Sequence, residues 1–559
     1  MHWIFRSPKP EKVIELMGKY QIPEIIAKLM DARGLHEARN LERFFSPNIS
    51  QLHDPFSMKN LDMAASRTIK NIKSKSPIFV FGDYDVDGTT GASLLHAGLS
   101  SLGANVKTYI PNREKEGYGL SELGIDKAEE LGADLFITCD CGIYAINHVN
   151  YANKKGMDVI ITDHHIPGNI LPDAFAILNP KQNDCRYPFK ELCGAGVALK
   201  LISGIVEKMR LSFDFIIDLL DLAALGTSAD LVSMKDENRV IVHCGLQILR
   251  TTHRPGLREL LKIVNMDLYR DLTVNQVVFH IAPRINAAGR LGNANRVIEL
   301  FTTTDKIRAK TLAIELNQEN KMRQTIQQSV LDEAFLMVNT EFDLSRDKAI
   351  ILGSQYWHQG VVGIVASKIK EQFNRPAVII SFDKKGFGKG SARSVNGLDL
   401  YKALNATGEY LDNFGGHAMA AGLTIKKSQL AGFRKSFLAY ANKIFQETDL
   451  EPILYLDGII KLTDVNKTFM DFLKKLSPYG PGNRRPKFAI RNVKISENPR
   501  IIGNGNHLRF QVKQNQNSFQ VIGFNMAHHY QDLIKGKPID IACIFEINRW
   551  KGQETINTC

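Results

Sequence analysis

The chain has 559 residues, too many for one hydrophobic core, so we expect about three to five domains. Its hydrophobic fraction of 44% and charged fraction of 23% are typical of a globular protein, and no apolar run is long enough to span a membrane. The N-terminus lacks a signal peptide's apolar segment, which predicts a cytoplasmic protein. The net charge of +12 suggests a polyanionic partner, and residues 451–559 hold more than half of the excess.

The seven cysteines are scattered and none forms a Cys-x-x-Cys pair, which argues against a zinc ribbon and against a disulfide framework. Cys139 and Cys141 flank an acidic residue, Asp140. Alternation along a strand points both cysteines away from the side of Asp140, so we interpret them as small core residues rather than metal ligands.

The first 75 residues read as short amphipathic helices, for example over 11–19 and 22–32. From residue 77, strands and helices alternate at the spacing of βαβ units, which indicates a parallel sheet with helices on both faces. The predicted strands cover 78–81, 106–110, 135–138 and 159–162, and the helices between them cover 89–102, 122–131 and 145–154.

The middle of the chain is predicted to be mostly helical, over 194–265 and 275–300. Residues 306–338 then form one helical pattern with a narrow apolar stripe and a polar Asn-Gln-Glu-Asn-Lys segment. A helix of about 30 residues is about 45 Å long, and we interpret it as a bridge between two lobes.

A second, smaller α/β region is predicted after this helix, with strands at 349–352 and 377–380 and a helix at 362–372. From about residue 452 the chain looks all-β, with turns rich in glycine and asparagine. Short strands at this spacing favour a small β-barrel of the oligonucleotide-binding type. Its predicted strands cover 487–493, 508–512, 518–524 and 539–547.

Acidic and histidine residues follow three strands of the predicted parallel sheet. Because the carboxyl ends of parallel strands meet at one edge, we expect these side chains to lie close together. Carboxylate oxygens mixed with imidazole suit Mg²⁺ or Mn²⁺. The clusters are Asp83, Asp85 and Asp87 after the first strand, Asp140 after the third, and Asp163, His164 and His165 after the fourth.

Residues 83–88 have simpler explanations, an acidic turn that caps the next helix or a calcium loop. An EF-hand needs flanking helices, whereas a strand precedes this segment, so we favour a metal site. Adjacent histidines on an extended chain point to opposite sides, so one of His164 and His165 can bind metal while the other reaches substrate or a carboxylate. Asp230 follows a helical run and by itself reads as a cap residue.

The motifs Gly-Asp-Tyr-Asp-Val-Asp-Gly, the distant Asp140 and Asp-His-His resemble those of the DHH phosphoesterase superfamily, and within it the single-strand-specific exonucleases. The resemblance runs nearly end to end. The Gly-Gly-His block at 414–422 is similar to the DHH-associated domain. Further similar segments are 52–56, 111–120, 192–197, 283–290, 357–367 and 391–394.

Together with the element pattern, the resemblance implies an α/β fold in five parts. These are an N-terminal helical extension (1–75), a parallel-sheet DHH catalytic domain (76–300), a long connecting helix (301–340), a smaller α/β DHH-associated substrate-binding domain (341–450), and a C-terminal OB-like nucleic-acid-binding β-barrel (451–559).

The resemblance also implies phosphodiester hydrolysis with two ions of Mn²⁺ or Mg²⁺. It raises Asp230 to a ligand, because the superfamily's fourth acidic motif has this setting. The implied ligands are Asp83, Asp85, Asp140, His164 and Asp230, and the implied catalytic residues are Asp87, as ligand or bridge, and His165, which stabilises charge on the phosphate.

Substrate-binding residues are expected in the Gly-Gly-His block and in the further segments that resemble the superfamily. Glycines let backbone amides approach a phosphate, and His417 and Arg393 supply charged donors, although a tight turn also explains the glycines. For Arg284 and Arg290 a solvated basic face is the rival explanation to phosphate contact. The expected substrate-binding residues are Arg113, Tyr118, Arg284, Arg290, Ser391, Arg393, Gly415, Gly416 and His417.

The C-terminal region combines cations with an aromatic residue, which suits a groove for single strands regardless of sequence. A solvated surface is the alternative. The residues concerned are Arg484, Arg485, Lys487, Arg491, Arg509 and Phe510.

The sequence and the resemblance therefore predict a 5′-to-3′ exonuclease for single-stranded DNA in recombination and repair. We expect a monomer that works with a single-strand-binding protein and a helicase. The alternatives are a DHH phosphodiesterase acting on short oligoribonucleotides, cyclic dinucleotides or pyrophosphate, and a binding protein on an inactive DHH scaffold.

Overall fold

The computed structural model describes residues 2–113, 115–117, 119–445, 450–550 and 553–558. The chain divides into a larger unit (Trp3–Ala282, Ile298–Lys306, Leu454–Cys559) and a smaller one (Met1–His2, Pro283–Val297, Ile307–Ile453). The five parts expected from the sequence are a finer division than these two units, and their boundaries remain a prediction. Among the described residues, no helix has both the length and the apolar composition needed to cross a bilayer.

The N-terminal segment is mainly helical, as predicted, although it begins with a short strand that the sequence did not predict. The second helix begins two residues later than expected because Pro23, with an extended ψ of 149°, precedes it. The elements are β1 (His2–Phe5), α1 (Pro10–Tyr20), α2 (Glu24–Asp31), α3 (Ala38–Phe45) and α4 (Leu61–Ser74).

A five-stranded parallel sheet of order β3-β2-β4-β5-β6 lies at the centre of the larger unit. Every residue of β2 and β4 is buried, so these strands read as continuous apolar runs. Its last strand, β6, has three residues and was not predicted. The elements are β2 (Ile78–Gly82), α5 (Val86–Ser101), β3 (Val106–Tyr109), α6 (Glu122–Glu130), β4 (Leu135–Cys139), α7 (Ile146–Lys154), β5 (Asp158–Thr162) and β6 (Ala176–Leu178).

Helices follow, as the sequence predicts. A π-helical turn at Val277–Ile281 leads directly into the next α-helix, and the long helix has 36 residues. The elements are α8 (Gly194–Lys208), α9 (Asp214–Ile217), α10 (Leu220–Ala229), α11 (Asp236–Thr251), α12 (Pro255–Ile263), α13 (Val274–Gln276), α14 (Ala282–Leu291), α15 (Asn295–Thr302) and α16 (Lys306–Glu341).

The smaller unit contains a mixed sheet of order β10-β11-β9-β8-β7, in which only β7 and β8 run parallel. The sequence predicts only the strands β7 and β8 and the helix α17, because the other strands are rich in glycine and partly exposed. The elements are β7 (Ile350–Ser354), α17 (Val362–Phe373), β8 (Ala377–Phe382), β9 (Phe387–Arg393), α18 (Leu400–Ala406), β10 (Asn413–His417), β11 (Ala420–Lys426) and α19 (Leu430–Ile444).

The C-terminal region is mainly β, but it is not all-β as predicted. Helix α20 buries Phe469, Met470, Leu473 and Leu476 in one core with residues of α1 and α2. The strand predicted at 539–547 is two strands that pair with different partners, β14 and β19. The elements are β12 (Ile453–Leu456), β13 (Gly458–Ile459), α20 (Lys467–Leu476), β14 (Phe488–Ile502), β15 (His507–Gln514), β16 (Asn517–Gly523), α21 (Tyr530–Leu533), β17 (Ile539–Cys543), β18 (Phe545–Trp550) and β19 (Gln553–Thr558).

Arg239 on α11 joins three segments of the larger unit. Its buried guanidinium donates to the carbonyls of Phe44, Lys475, Leu476, Ser477 and Pro478 at 2.6 to 3.2 Å, and it lies 3.9 Å from the ring centroid of Phe44. These are the ends of α3 and α20, whose last carbonyls have no partner within the helix. One side chain therefore satisfies acceptors on the N-terminal and C-terminal segments together.

We expect Arg239→Met to lower the free energy of unfolding by about 3 kcal/mol, because it leaves buried carbonyls without donors. Arg239→Lys should recover only part of the loss, since an ammonium cannot reproduce the planar fork. The measurement is urea unfolding followed by circular dichroism. Arg250→Lys, on the same helix but more exposed, is the control, and an equal loss in that variant would contradict this account of Arg239.

Candidate metal centre

The three predicted clusters do lie at one edge of the parallel sheet. The amide of Asp83 donates to the carbonyl of Cys139 at 3.2 Å, that of Asp140 to Thr162 at 2.9 Å, and that of Asp163 to Leu178 at 3.0 Å. Each aspartate thus extends the hydrogen-bond ladder of its strand by one residue. The backbone hydrogen bonds of the sheet therefore fix the spacing of Asp83, Asp140 and Asp163, independently of their side chains.

Ligand atoms converge at this edge into three overlapping groups, and within each group the atoms lie no more than 4.8 Å apart. Asp140 and His164 each belong to two groups, and a carboxylate such as Asp140 can be shared by two neighbouring ions, whereas one imidazole nitrogen binds a single ion. Neither Cys139 nor Cys141 belongs to these groups, and both are buried. The groups are Asp83, Asp85 and Asp140; Asp87, His164 and Asp230; and Asp140, His164 and His165.

Asp85 and Asp87 belong to the start of α5. Asp85 caps the helix by accepting from the amide of Gly88 at 3.0 Å, which explains why α5 begins three residues earlier than predicted. Asp87 is buried and accepts from the amides of Gly194 and Ala195 at 2.5 and 2.9 Å. These are the first residues of α8, so a helix N-terminus faces this carboxylate.

Asp140 adopts a left-handed backbone conformation with a φ of 61°. A Cβ atom added to Gly194 would lie 2.5 Å from the Cβ of Asp140, so only glycine fits where α8 passes this loop. The glycine at the start of α8 is therefore required by the position of a candidate ligand.

The two histidines have different surroundings. His164 is buried, and its Nε2 lies 3.1 Å from Oδ1 of Asp140 and 3.6 Å from Oδ2 of Asp230. The side chain of His165 is 40% exposed, and its Nδ1 lies 2.7 Å from Asp163. Asp163 also accepts from the amides of Ile143, His164 and His165. Sequence reasoning assigned Asp163 no separate role, yet it orients His165.

The electrostatics of the cluster fit a cation. Burial and neighbouring carboxylates hold the pKa values of Asp83 and Asp140 well above the usual range, and the same causes raise the pKa of Asp230 to about 9. Burial lowers the pKa of His164, which favours the neutral imidazole that binds metal. Among the described residues, Asp83 Oδ1, Asp140 Oδ1 and Asp230 Oδ2 have no hydrogen-bond donor. Hard divalent ions suit this donor set.

Sequence reasoning missed two residues after β6. Asn179 is buried and donates to the carbonyl of His165 at 2.8 Å. Its side chain also accepts from the amide of Lys181, whose positive charge acts on Asp230 and His164. The rule that found the other residues, polar side chains after a strand, applies here too, but β6 itself was not recognised.

Of the substrate-binding residues predicted near this edge, Arg113 lies over the ring of Tyr84, with 5.2 Å between its guanidinium carbon and the ring centroid. Tyr84 lies between Asp83 and Asp85 in the chain, so Arg113 belongs to the surroundings of the cluster. Tyr118 lies outside the described residues.

The remaining predicted substrate residues belong to the smaller unit. Ala420 pairs with His417 on one side and Arg393 on the other, so these two side chains occupy one row across three strands. Arg393 donates to the hydroxyl of Ser391 at 2.9 Å. A Cβ atom on Gly363, in the first turn of α17, would lie 3.2 Å from that hydroxyl.

Gly415 and Gly416 lie on the edge strand β10, rather than in a turn between a strand and a helix. Arg284 donates to Asn317 at 3.0 Å, and Arg290 donates to the carbonyl of Gly360 at 2.9 Å. The structure thus brings Ser391, Arg393 and His417 close to one another and leaves Arg284 and Arg290 with partners of their own.

The predicted groove in the C-terminal region needs correction. Phe510 is 8% exposed and packs in the core, so it offers no stacking surface. Arg485 and Arg491 form ion pairs with Glu546 and Asp540. Arg484, Lys487 and Arg509 are exposed, as predicted, and exposed cations also face each other in pairs across β14 and β15. The pairs are Lys494 with Lys513 and Arg500 with Arg509.

Three regions match known families. Residues 77–227 match the N-terminal domain of the DHH family, residues 346–446 match the DHHA1 domain, and residues 456–558 match the RecJ OB domain. These regions coincide with the parallel sheet and first helices of the larger unit, the mixed sheet, and the C-terminal β-region.

Individual relatives agree with these matches. The chain is 38% identical to the single-stranded-DNA-specific exonuclease RecJ of Bacillus subtilis over 555 residues, which is 99% of this chain and 70% of the relative. It is 32% identical to RecJ of Haemophilus influenzae, covering 95% of this chain and 94% of that one.

Solved structures show the same fold. The crystal structure of RecJ from Thermus thermophilus in complex with Mn²⁺ matches with a TM-score of 0.84 and 30% identity, covering all of this chain and 78% of that one. The complex of that protein with Mg²⁺ matches with a TM-score of 0.79 and 29% identity, over 100% of this chain and 77% of the other. By its fold, its domains and its near-full-length relatives, the chain belongs to the RecJ family of single-stranded-DNA-specific exonucleases.

Proposed function

We propose that this chain is an exonuclease that hydrolyses single-stranded DNA with divalent metal ions and proceeds from the 5′ end. The observation that carries this proposal is the set of overlapping ligand groups around Asp140 and His164. Relatives that share the fold are named for the same activity, and two of the matching structures contain Mn²⁺ and Mg²⁺.

The chain's own residues supply the site for two ions. Asp83, Asp85 and Asp140 would hold one ion, and Asp87, His164 and Asp230 would hold the other. When bound, such ions polarise the phosphate and lower the pKa of water. Two backbone amides of α8 donate to the carboxylate of Asp87 and hold it in a fixed position. His165, oriented by Asp163, would donate a hydrogen bond to a phosphate oxygen and stabilise its negative charge.

Contacts outside the metal cluster favour a long single strand as substrate. Arg113 lies beside the cluster, Arg393 and His417 offer donors in the smaller unit, and the cation pairs on β14 and β15 suit a phosphate backbone. An enzyme for cyclic dinucleotides or short oligoribonucleotides has no need of the last surface. The protein acts as a monomer in the cytoplasm, beside a single-strand-binding protein and a helicase.

Digestion of end-labelled DNA tests this function. We expect Mn²⁺ or Mg²⁺ to support release of mononucleotides from a 5′-labelled single strand, with little release from a blunt duplex and none with a chelator. Asp140→Asn should reduce the rate by about 10³-fold or more, because transition-state stabilisation of about 4 kcal/mol is lost. Release that begins at the 3′ label, or that continues with chelator, would contradict the proposal.

Two neighbouring glycines of α8 provide a matched test of the ligand geometry. Gly194→Ala places a methyl group against Asp140 and should weaken Mn²⁺ binding and cleavage at least about 10-fold. In Gly196→Ala the nearest atom to the added methyl group is the end of Leu192 at 3.3 Å, so we expect much smaller effects. Calorimetric titration with Mn²⁺ and the cleavage rate are measured for both. Equal behaviour of the two variants would refute the assigned contact.

A further inference from the structure

Helix α16 carries an arginine, Arg323, whose side chain is held by two amide side chains of the same helix, within the smaller unit. Arg323 donates from Nη1 to Oε1 of Gln327 and from Nη2 to Oδ1 of Asn320, both at 2.6 Å. Both amides are buried, with exposed fractions of 8% and 1%. Neutral amide oxygens therefore fix the guanidinium in one orientation without neutralising its charge.

Arg284 lies next to this group. Its Nε donates to Oδ1 of Asn317 at 3.0 Å, and Asn317, Asn320 and Arg323 follow one another at intervals of three residues on the same face of α16. The positive charge of Arg284 acts on Arg323 and lowers its pKa, an effect to which burial contributes first. The two guanidinium groups are therefore near enough for their like charges to interact.

A nearby arginine shows the contrasting arrangement. Arg296, on α15, forms ion pairs with Glu315 and Glu319 of α16, and Glu319 directly precedes Asn320. Among the described residues, Arg323 has no carboxylate partner, and its two amide bonds use two of its five N–H donors. Carboxylates of α16 thus neutralise Arg296, whereas the charge of Arg323 is left for a ligand.

We propose that Arg323, held by Asn320 and Gln327 beside Arg284, binds a backbone phosphate of the single-stranded substrate. The planar fork of a guanidinium matches a phosphate, and an anion between the two arginines removes their repulsion. This inference rests on the proposed function and adds to the substrate contacts a residue, Arg323, that lies outside the candidate metal site and outside the motifs already discussed.

The rival explanation is structural: Arg323 ties neighbouring turns of α16 together. Asn320→Asp separates the two. A carboxylate at this position would strengthen a structural tie by forming an ion pair, but it would neutralise the guanidinium and weaken a phosphate contact. Arg323→Gln removes the charge directly.

The test measures the anisotropy of a fluorescent oligothymidine of about 20 nucleotides in EDTA, where no cleavage occurs, over a range of salt concentrations. For Arg323→Gln and for Asn320→Asp we expect about 5- to 10-fold weaker binding and a salt slope smaller by about 0.7, the value for one phosphate on a single strand. Arg346→Gln, the same charge change at an exposed arginine of this unit, should keep the wild-type slope.

Unchanged slopes in both variants would overturn the inference, as would tight binding by Asn320→Asp. A wild-type protein that binds no single strand would overturn it together with the proposed function. If the wild-type protein binds the strand with the larger slope but releases no nucleotide with Mn²⁺, the proposed function fails and the phosphate site stands. Thermal unfolding of each variant is measured alongside.

Discussion

The mutual repulsion of buried carboxylates at one edge of the parallel sheet is the constraint on which the rest of the site depends. Two unit charges 4 Å apart interact by about 4 kcal/mol at an effective dielectric constant of about 20. Several carboxylates meet around Asp140, and the pKa values of Asp83 and Asp140 are raised first by burial and then by this repulsion. Either protons or cations must relieve it. Asp83, Asp140 and Asp230 each have a carboxylate oxygen without a donor among the described residues, and each belongs to a group that could hold a cation.

Holding these charges together requires rigid backbone. The ladder of the sheet spaces Asp83, Asp140 and Asp163, and the first amides of α8 bind Asp87. This contact between α8 and the loops explains why the helix begins with small residues. The groups that position these aspartates are therefore mostly backbone amides and carbonyls. The carboxylate side chains remain available to bind a ligand.

The sequence predicts the sheet and its acidic edge well, because buried parallel strands are continuous apolar runs and their ends carry polar residues. It fails where that signal is weak. Strand β6 has three residues, so Asn179 and Lys181 after it went unnoticed, and β9 to β11 are rich in glycine. Phe510 was assigned to a surface because its neighbours are cationic, yet alternation along β15 turns it into the core. Helix α20 has a clear apolar face, which the expectation of an all-β region obscured.

The surroundings of the arginines separate those that stabilise the fold from those that suit a ligand. Arg239 is surrounded by carbonyls at the ends of two helices, and its donors are consumed there. Arg296 is neutralised by two glutamates. Arg323 has a fixed orientation, as Arg239 does. Unlike Arg296, it has no neutralising carboxylate among the described residues. Two buried amides orient the charge of Arg323 without neutralising it, and an anion that binds from outside the protein explains this arrangement. In a protein of this family, that anion is a phosphate of the single-stranded DNA substrate.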